Sequence, residues 1–107
     1  MVEINNIEEL KDIMEQTRKP VVVDFYAEWC GPCKAMASML EELSNEMEDV
    51  DFYKLNIEDN PDVASEFSIT SVPSFLVVET GRWQVFTGAM PKRTFQNKIS
   101  EILGLSI

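Results

Sequence analysis

Trp29-Cys30-Gly31-Pro32-Cys33 is the stretch whose reading decides the fold. It holds the only two cysteines of the chain, separated by Gly-Pro. Before it runs Val21-Val22-Val23-Asp24-Phe25-Tyr26-Ala27, β-branched and aromatic with little alternation. That pattern predicts a central strand covered on both faces. After it runs Lys34-Ala35-Met36-Ala37-Ser38-Met39-Leu40-Glu41-Glu42-Leu43, with Met36, Met39, Leu40, Leu43 and Met47 on one helical face. A strand ends, a short turn presents two sulfurs, and a helix begins on them. Such an arrangement is a redox dithiol at a helix N-terminus.

The same reading extends outward in both directions. Met1 to Ile4 predicts a short edge strand. Asn5 or Asn6 is placed to cap a helix bearing Glu8 and Glu9 in its first turn and Ile7, Leu10, Ile13 and Met14 at helical spacing. Thr17-Arg18-Lys19-Pro20 ends that helix. Asp51 to Asn56 reads as a strand, and Asn60-Pro61-Asp62 opens a short helix with Val63, Ala64 and Phe67 on its apolar face. Ser71-Val72-Pro73-Ser74 is a turn into the strand Phe75-Leu76-Val77-Val78. Thr80-Gly81 suits a hairpin into Trp83-Gln84-Val85-Phe86-Thr87. Gly88-Ala89-Met90-Pro91 is a loop before a last helix with Phe95, Ile99, Ile102 and Leu103 inward and Gly104 at its end. The order β-α-β-α-β-α-β-β-α predicts an α/β fold with parallel crossovers and an antiparallel edge.

Composition removes several classes of function. A chain of 107 residues suits one domain, expected here over residues 1–107. Nineteen acidic against nine basic residues give a net charge of -10. Nucleic acid and anionic membrane are therefore not expected as partners, because phosphates require Lys/Arg stripes. The N-terminal residues lack the basic and apolar regions of a secretory signal, and no window approaches a membrane span, so a cytoplasmic location is expected. Structural zinc takes four Cys/His ligands, and two cysteines without histidine cannot supply them, so no metal is expected. Inert core thiols are the alternative for the cysteines, although Gly-Pro between them favours an exposed turn. Asp24 is an acid inside a run that should be buried, where an ionised carboxylate is unfavourable. The alternative for Asp24 is an exposed strand edge. Six methionines read as core filler, with Met90 the one nearest the dithiol loops.

Taken together, Asp24-Phe25-Tyr26-Ala27-Glu28-Trp29-Cys30-Gly31-Pro32-Cys33-Lys34 and Val72-Pro73 resemble the thioredoxin family, and the resemblance covers nearly the whole chain. It implies a thioredoxin fold, a central mixed sheet of about five strands flanked by four helices. It implies a Cys30–Cys33 redox disulfide, Lys54 facing Asp24, and a cis Val72-Pro73 peptide opposite the cysteines. Gly81 and Gly88 match the family's hairpin and loop glycines. The chain departs from the family at Ser38, where a helix proline is usual, and at Tyr26, where tryptophan is common.

The expected chemistry is reduction of target-protein disulfides. Cys30, the more exposed sulfur, attacks; Cys33, a helical turn in and more buried, resolves the mixed disulfide. Asp24 is the acid or base for Cys33, with Lys54 tuning it, although a surface lysine is the ordinary reading of Lys54. Trp29, Gly31, Pro32, Val72, Pro73, Gly88 and Ala89 are expected to form a flat apolar patch that receives substrate. No bound cofactor is expected, because the dithiol carries the electrons. The partners implied are disulfide-containing proteins and a thioredoxin reductase, with the protein itself a monomer. Two other readings stand beside this one. The first is a disulfide oxidase, an isomerase or a glutathione-using reductase. The second is a binding module that makes no use of its thiols.

Overall fold

The computed structural model describes residues 1–104. Its elements are β1 (Val2–Ile4), α1 (Ile7–Gln16), β2 (Val21–Tyr26), α2 (Gly31–Glu46), β3 (Asp51–Asn56), α3 (Pro61–Glu66), β4 (Ser74–Glu79), β5 (Arg82–Thr87) and α4 (Lys92–Leu103). One five-stranded sheet runs in the order β1-β3-β2-β4-β5. The β1–β3 and β2–β3 pairs are parallel, and the β2–β4 and β4–β5 pairs are antiparallel. The expected parallel crossovers and antiparallel edge are thus both present, and β1 is an edge strand as its sequence suggested. No helix of the described residues is long and apolar enough to cross a membrane.

Strand β2 occupies the middle of the sheet because both of its faces are apolar. Val22 points into one core with Met36, Leu40 and Leu43 of α2 and Phe95 and Ile99 of α4. Val21, Val23 and Phe25 point into the other, with Leu10 of α1 and Val63 of α3. Period-two alternation in a strand sends neighbours to opposite faces, so a largely apolar run with little alternation requires helices on both sides. Phe75 anchors the first core, with its ring 4.8 Å from Phe95 and 5.2 Å from Phe86 between centroids. Trp83 remains half-exposed on edge strand β5, its ring edge-on to Phe67 at 5.0 Å.

The helix ends follow the capping chemistry of their residues. Asn6 Oδ1 accepts the Glu9 N–H at 2.8 Å and opens α1. Gly104 closes α4 at φ 68°, a left-handed conformation that only glycine adopts without Cβ strain. Asn60, by contrast, makes no side-chain cap to α3; its Nδ2 donates to the Asn56 carbonyl at 2.9 Å and ties the helix entry back to β3. Met36 lies in the core, and Met1, Met39, Met47 and Met90 pack against it. Met14 packs against the second core. Met90 therefore serves the interior rather than the surface beside the dithiol.

Candidate functional site

The cysteines lie where β2 hands over to α2. Cys30 is the N-cap of α2 and is joined to Cys33 as a disulfide, with their Cα atoms 5.2 Å apart. The Cys33 N–H donates to Cys30 Sγ at 3.1 Å, so a sulfur takes the capping role that a Ser or Asp oxygen fills elsewhere. Pro32 stands in the first turn, where its missing N–H removes no helical bond. No acid occupies that first turn. The free N–H groups and the dipole of a sixteen-residue helix therefore act on Cys30 without a competing carboxylate.

Cys30 was expected to be the more exposed sulfur, yet Cys30 is 2% exposed and Cys33 5%. The capping geometry turns Cys30 inward, the disulfide makes each sulfur cover for the other, and Ala27, Tyr26 and Val72 pack on the pair. In the disulfide state the two sulfurs are therefore not distinguished by burial.

Val72-Pro73 is cis. The turn is pinned at both ends: Ser74 Oγ donates to the Ser71 carbonyl at 2.7 Å, and the Gly88 N–H donates to the Pro73 carbonyl at 3.0 Å. Gly88 sits at φ 113°, a conformation open to glycine. Of the expected patch residues, Trp29 is 69% exposed, and Gly31, Pro32 and Ala89 are exposed. Val72 and Gly88 are half-buried. Pro73 is buried, so it shapes the patch from beneath instead of presenting a surface. The described geometry joins Val72 to the cysteines and Gly88 to Pro73.

Beside the dithiol, a cleft of about 300 Å³ reaches Asp24 and Cys33. Asp24 is buried, and its Oδ1 has no hydrogen-bond partner among the described residues. Burial pushes the Asp24 carboxyl up from its ordinary 3.8 to about 7, a rise that Lys54 partly opposes. Asp24 pairs with Lys54 in the β2–β3 register, which brings the lysine to the same face of the sheet. Lys54 is half-buried and lines the cleft, so the ordinary reading of a surface lysine does not hold for it. A carboxyl that titrates near neutrality beside a thiol can both take and return a proton at physiological pH.

The cleft also holds residues outside the expected site. Tyr26 Oη donates to Glu3 Oε2 at 2.5 Å, across 23 residues of chain. Burial above all, then the bond to Glu3 and nearby carboxylates, pushes the Tyr26 phenol above its ordinary range, so it remains protonated. Glu28, Lys34 and Glu41 line the mouth. Glu3 carries no sequence signal of its own, since an acid in an edge strand reads as a solvated surface residue.

The family model for thioredoxin matches residues 1–101. The chain belongs to the thioredoxin family. It is similar to chloroplastic thioredoxin M-type of Chlamydomonas reinhardtii, 36% identical over 92% of this chain and 71% of the relative. It is 38% identical to thioredoxin of Mycoplasma genitalium over 86% of this chain and 90% of the relative. It spans a little over half the length of two further chloroplastic thioredoxins. Among solved structures, the oxidised form of mitochondrial thioredoxin 3 from Saccharomyces cerevisiae superposes with a TM-score of 0.86, at 31% identity and 94% coverage of both chains. The five-stranded mixed sheet with four helices is the thioredoxin fold. With Cys30 and Cys33 at the start of α2, the chain is a thiol-disulfide oxidoreductase, and its activity is disulfide reduction by dithiol-disulfide exchange.

Proposed function

We propose that this single-domain protein reduces disulfides in other proteins, with Cys30 attacking, Cys33 resolving and Asp24 handling the proton. The observation that carries the assignment is the Cys33 N–H bonded to Cys30 Sγ at the start of α2. A backbone donor aimed at one sulfur stabilises the thiolate of that sulfur, and lowered thiol pKa values are a general property of thioredoxin C-x-x-C pairs. The Cys30 thiolate attacks one substrate sulfur. A Cys30–substrate disulfide forms, and the other substrate sulfur leaves as a thiolate that takes up a proton. Cys33 then gives its proton to the Asp24 carboxylate, through a water, and attacks Cys30 Sγ. The Cys30–Cys33 bond forms, and the second substrate thiolate leaves and is protonated. The substrate disulfide is reduced by two electrons, and the dithiol is oxidised by the same two.

Lys54 steadies the charge that Asp24 acquires. Trp29, Gly31, Pro32, Val72, Gly88 and Ala89 form the surface that meets substrate, with Pro73 supporting it. Half-buried Val72 against the cysteines supports pairing of its backbone with an extended substrate segment. A thioredoxin reductase returns two electrons to the disulfide, and no cofactor is bound. The protein acts as a monomer in the cytoplasm; its net charge of -10 favours a monomer.

Reduction of insulin disulfides, with NADPH-dependent and ferredoxin-dependent thioredoxin reductases supplied in turn, tests the assignment. Turnover is expected with one reductase and none without. A strongly oxidising dithiol potential, or insulin left intact by the chemically reduced protein, rejects it.

A further inference from the structure

Glu3, Lys54 and Asp24 form a row across the sheet. Glu3 pairs with Lys54 in the β1–β3 register, and Lys54 pairs with Asp24 in the β3–β2 register. Residues paired in this way share a face, so Lys54 stands between two carboxylates. Tyr26 lies two residues beyond Asp24 on the same face. Strands β1 and β2 are not neighbours, because β3 separates them. The Tyr26–Glu3 bond therefore spans β3 like a strap and holds the Glu3 carboxylate at the row.

We propose that Glu3 is a positioning residue for the Asp24 proton, acting through Lys54: Tyr26 fixes the Glu3 carboxylate on the far side of Lys54, so that the ammonium is divided between two carboxylates instead of being given wholly to Asp24. The claim rests on the reading of Asp24 as the proton partner of Cys33 for its consequence in turnover, but not for its electrostatics. The bare Oδ1 of Asp24 fits it, since Lys54 makes no hydrogen bond to that oxygen although the register sets them side by side.

Other charged groups face the same cleft and are differently occupied. Glu41 of α2 is paired with the N-terminal ammonium of Met1 at 2.7 Å. Glu28, after β2, and Lys34, in the first turn of α2, are exposed at the mouth, where solvent screens them. Cys33 is held in the disulfide and does not titrate in this state. Glu3 is the carboxylate set directly against Lys54 in the register.

The test is the titration of the Asp24 carboxyl carbon by NMR in the oxidised protein, which reads its proton without reference to turnover. In Glu3→Gln the midpoint is expected to fall by about half a pH unit or more, because Lys54 is freed for Asp24 and a nearby negative charge is lost. Tyr26→Phe keeps the ring and releases the strap, and should lower the midpoint by less. In a Lys54→Met background the Glu3→Gln shift should be at least halved. An unchanged or raised midpoint in Glu3→Gln, or an equal shift with and without Lys54, overturns the proposal. If Glu3→Gln does not fold, Tyr26→Phe decides: a midpoint at or above that of the parent protein rejects it. The pH profile of disulfide reduction separates the two claims. A midpoint that moves while the rate profile stays still removes Asp24 from the chemistry and leaves the Glu3 effect standing.

Discussion

Asp24 lies directly opposite Lys54 on the adjacent parallel strand, yet Asp24 Oδ1 has no hydrogen-bond partner among the described residues. The pair is near enough for the lysine to oppose protonation of the acid, but burial dominates and the carboxyl sits at about 7. The buried carboxyl therefore lowers stability at neutral pH, in a cleft that Cys33 also lines.

Replacing Asp24 by Asn should stabilise the protein at neutral and alkaline pH. The folded-state pKa of about 7 lies above the ordinary 3.8, so between those values the folded protein holds the proton more tightly than the unfolded chain. Stability is therefore full below pH 3.8 and falls as pH rises through about 7. The shift corresponds to about 4 kcal/mol as an upper figure. Urea unfolding should show a gain of about 2–4 kcal/mol for Asp24→Asn at pH 8 and little at pH 3.5. An equal gain at both values would refute burial of the charge as the cause. Insulin reduction by the same variant should slow by about tenfold or more, and an unchanged rate removes Asp24 from the mechanism.

Lys54→Met should act in the opposite sense on the same group. With the ammonium gone, nothing counters the burial of Asp24, and its midpoint should move above 7. The carboxyl titration by NMR measures this directly. Stability at pH 8 should fall, because the buried charge loses its nearest counter-charge, whereas at pH 3.5 the variant and parent should differ little.

The two cysteines should separate by function although burial does not separate them. Cys30→Ser is expected to abolish disulfide reduction. Cys33→Ser should retain the first step and accumulate mixed disulfides with substrate, visible as a mass increase that dithiothreitol removes. Adduct formation by Cys30→Ser in place of Cys33→Ser would reverse the assignment.

Phe75→Ala should be among the most damaging core substitutions. Phe75 is fully buried at the meeting of β4, β5 and α4, against Phe86 and Phe95. Loss of the ring leaves a cavity that these rigid neighbours cannot fill, at about 3–5 kcal/mol. Guanidinium unfolding reads the loss; a change below about 1 kcal/mol would mean that the cluster relaxes freely.

The runs Val21 to Tyr26 and Asp51 to Asn56, the cap at Asn6 and the left-handed end at Gly104 are local features, dictated by side-chain branching, apolar spacing and the freedom of glycine. They determined the order of elements and set the dithiol at the start of a helix. Asp24 was legible as a buried acid because its neighbours on both sides are apolar. The cis state of Val72-Pro73 and the placement of Lys54 came only by resemblance, since neither leaves a local trace.

Tertiary structure decided the rest. Pairing in register brought Glu3, Lys54 and Asp24 into one row from three separate strands. Packing carried the Tyr26 phenol over β3 to Glu3 and pressed Val72 onto the cysteines. It also buried Cys30 as deeply as Cys33, against the expectation drawn from its place before the helix. The physical reason is range. Capping and periodicity act within one or two turns of chain, whereas the potential at Asp24 and the cover over the sulfurs are set by groups that only the folded sheet brings within a few ångströms.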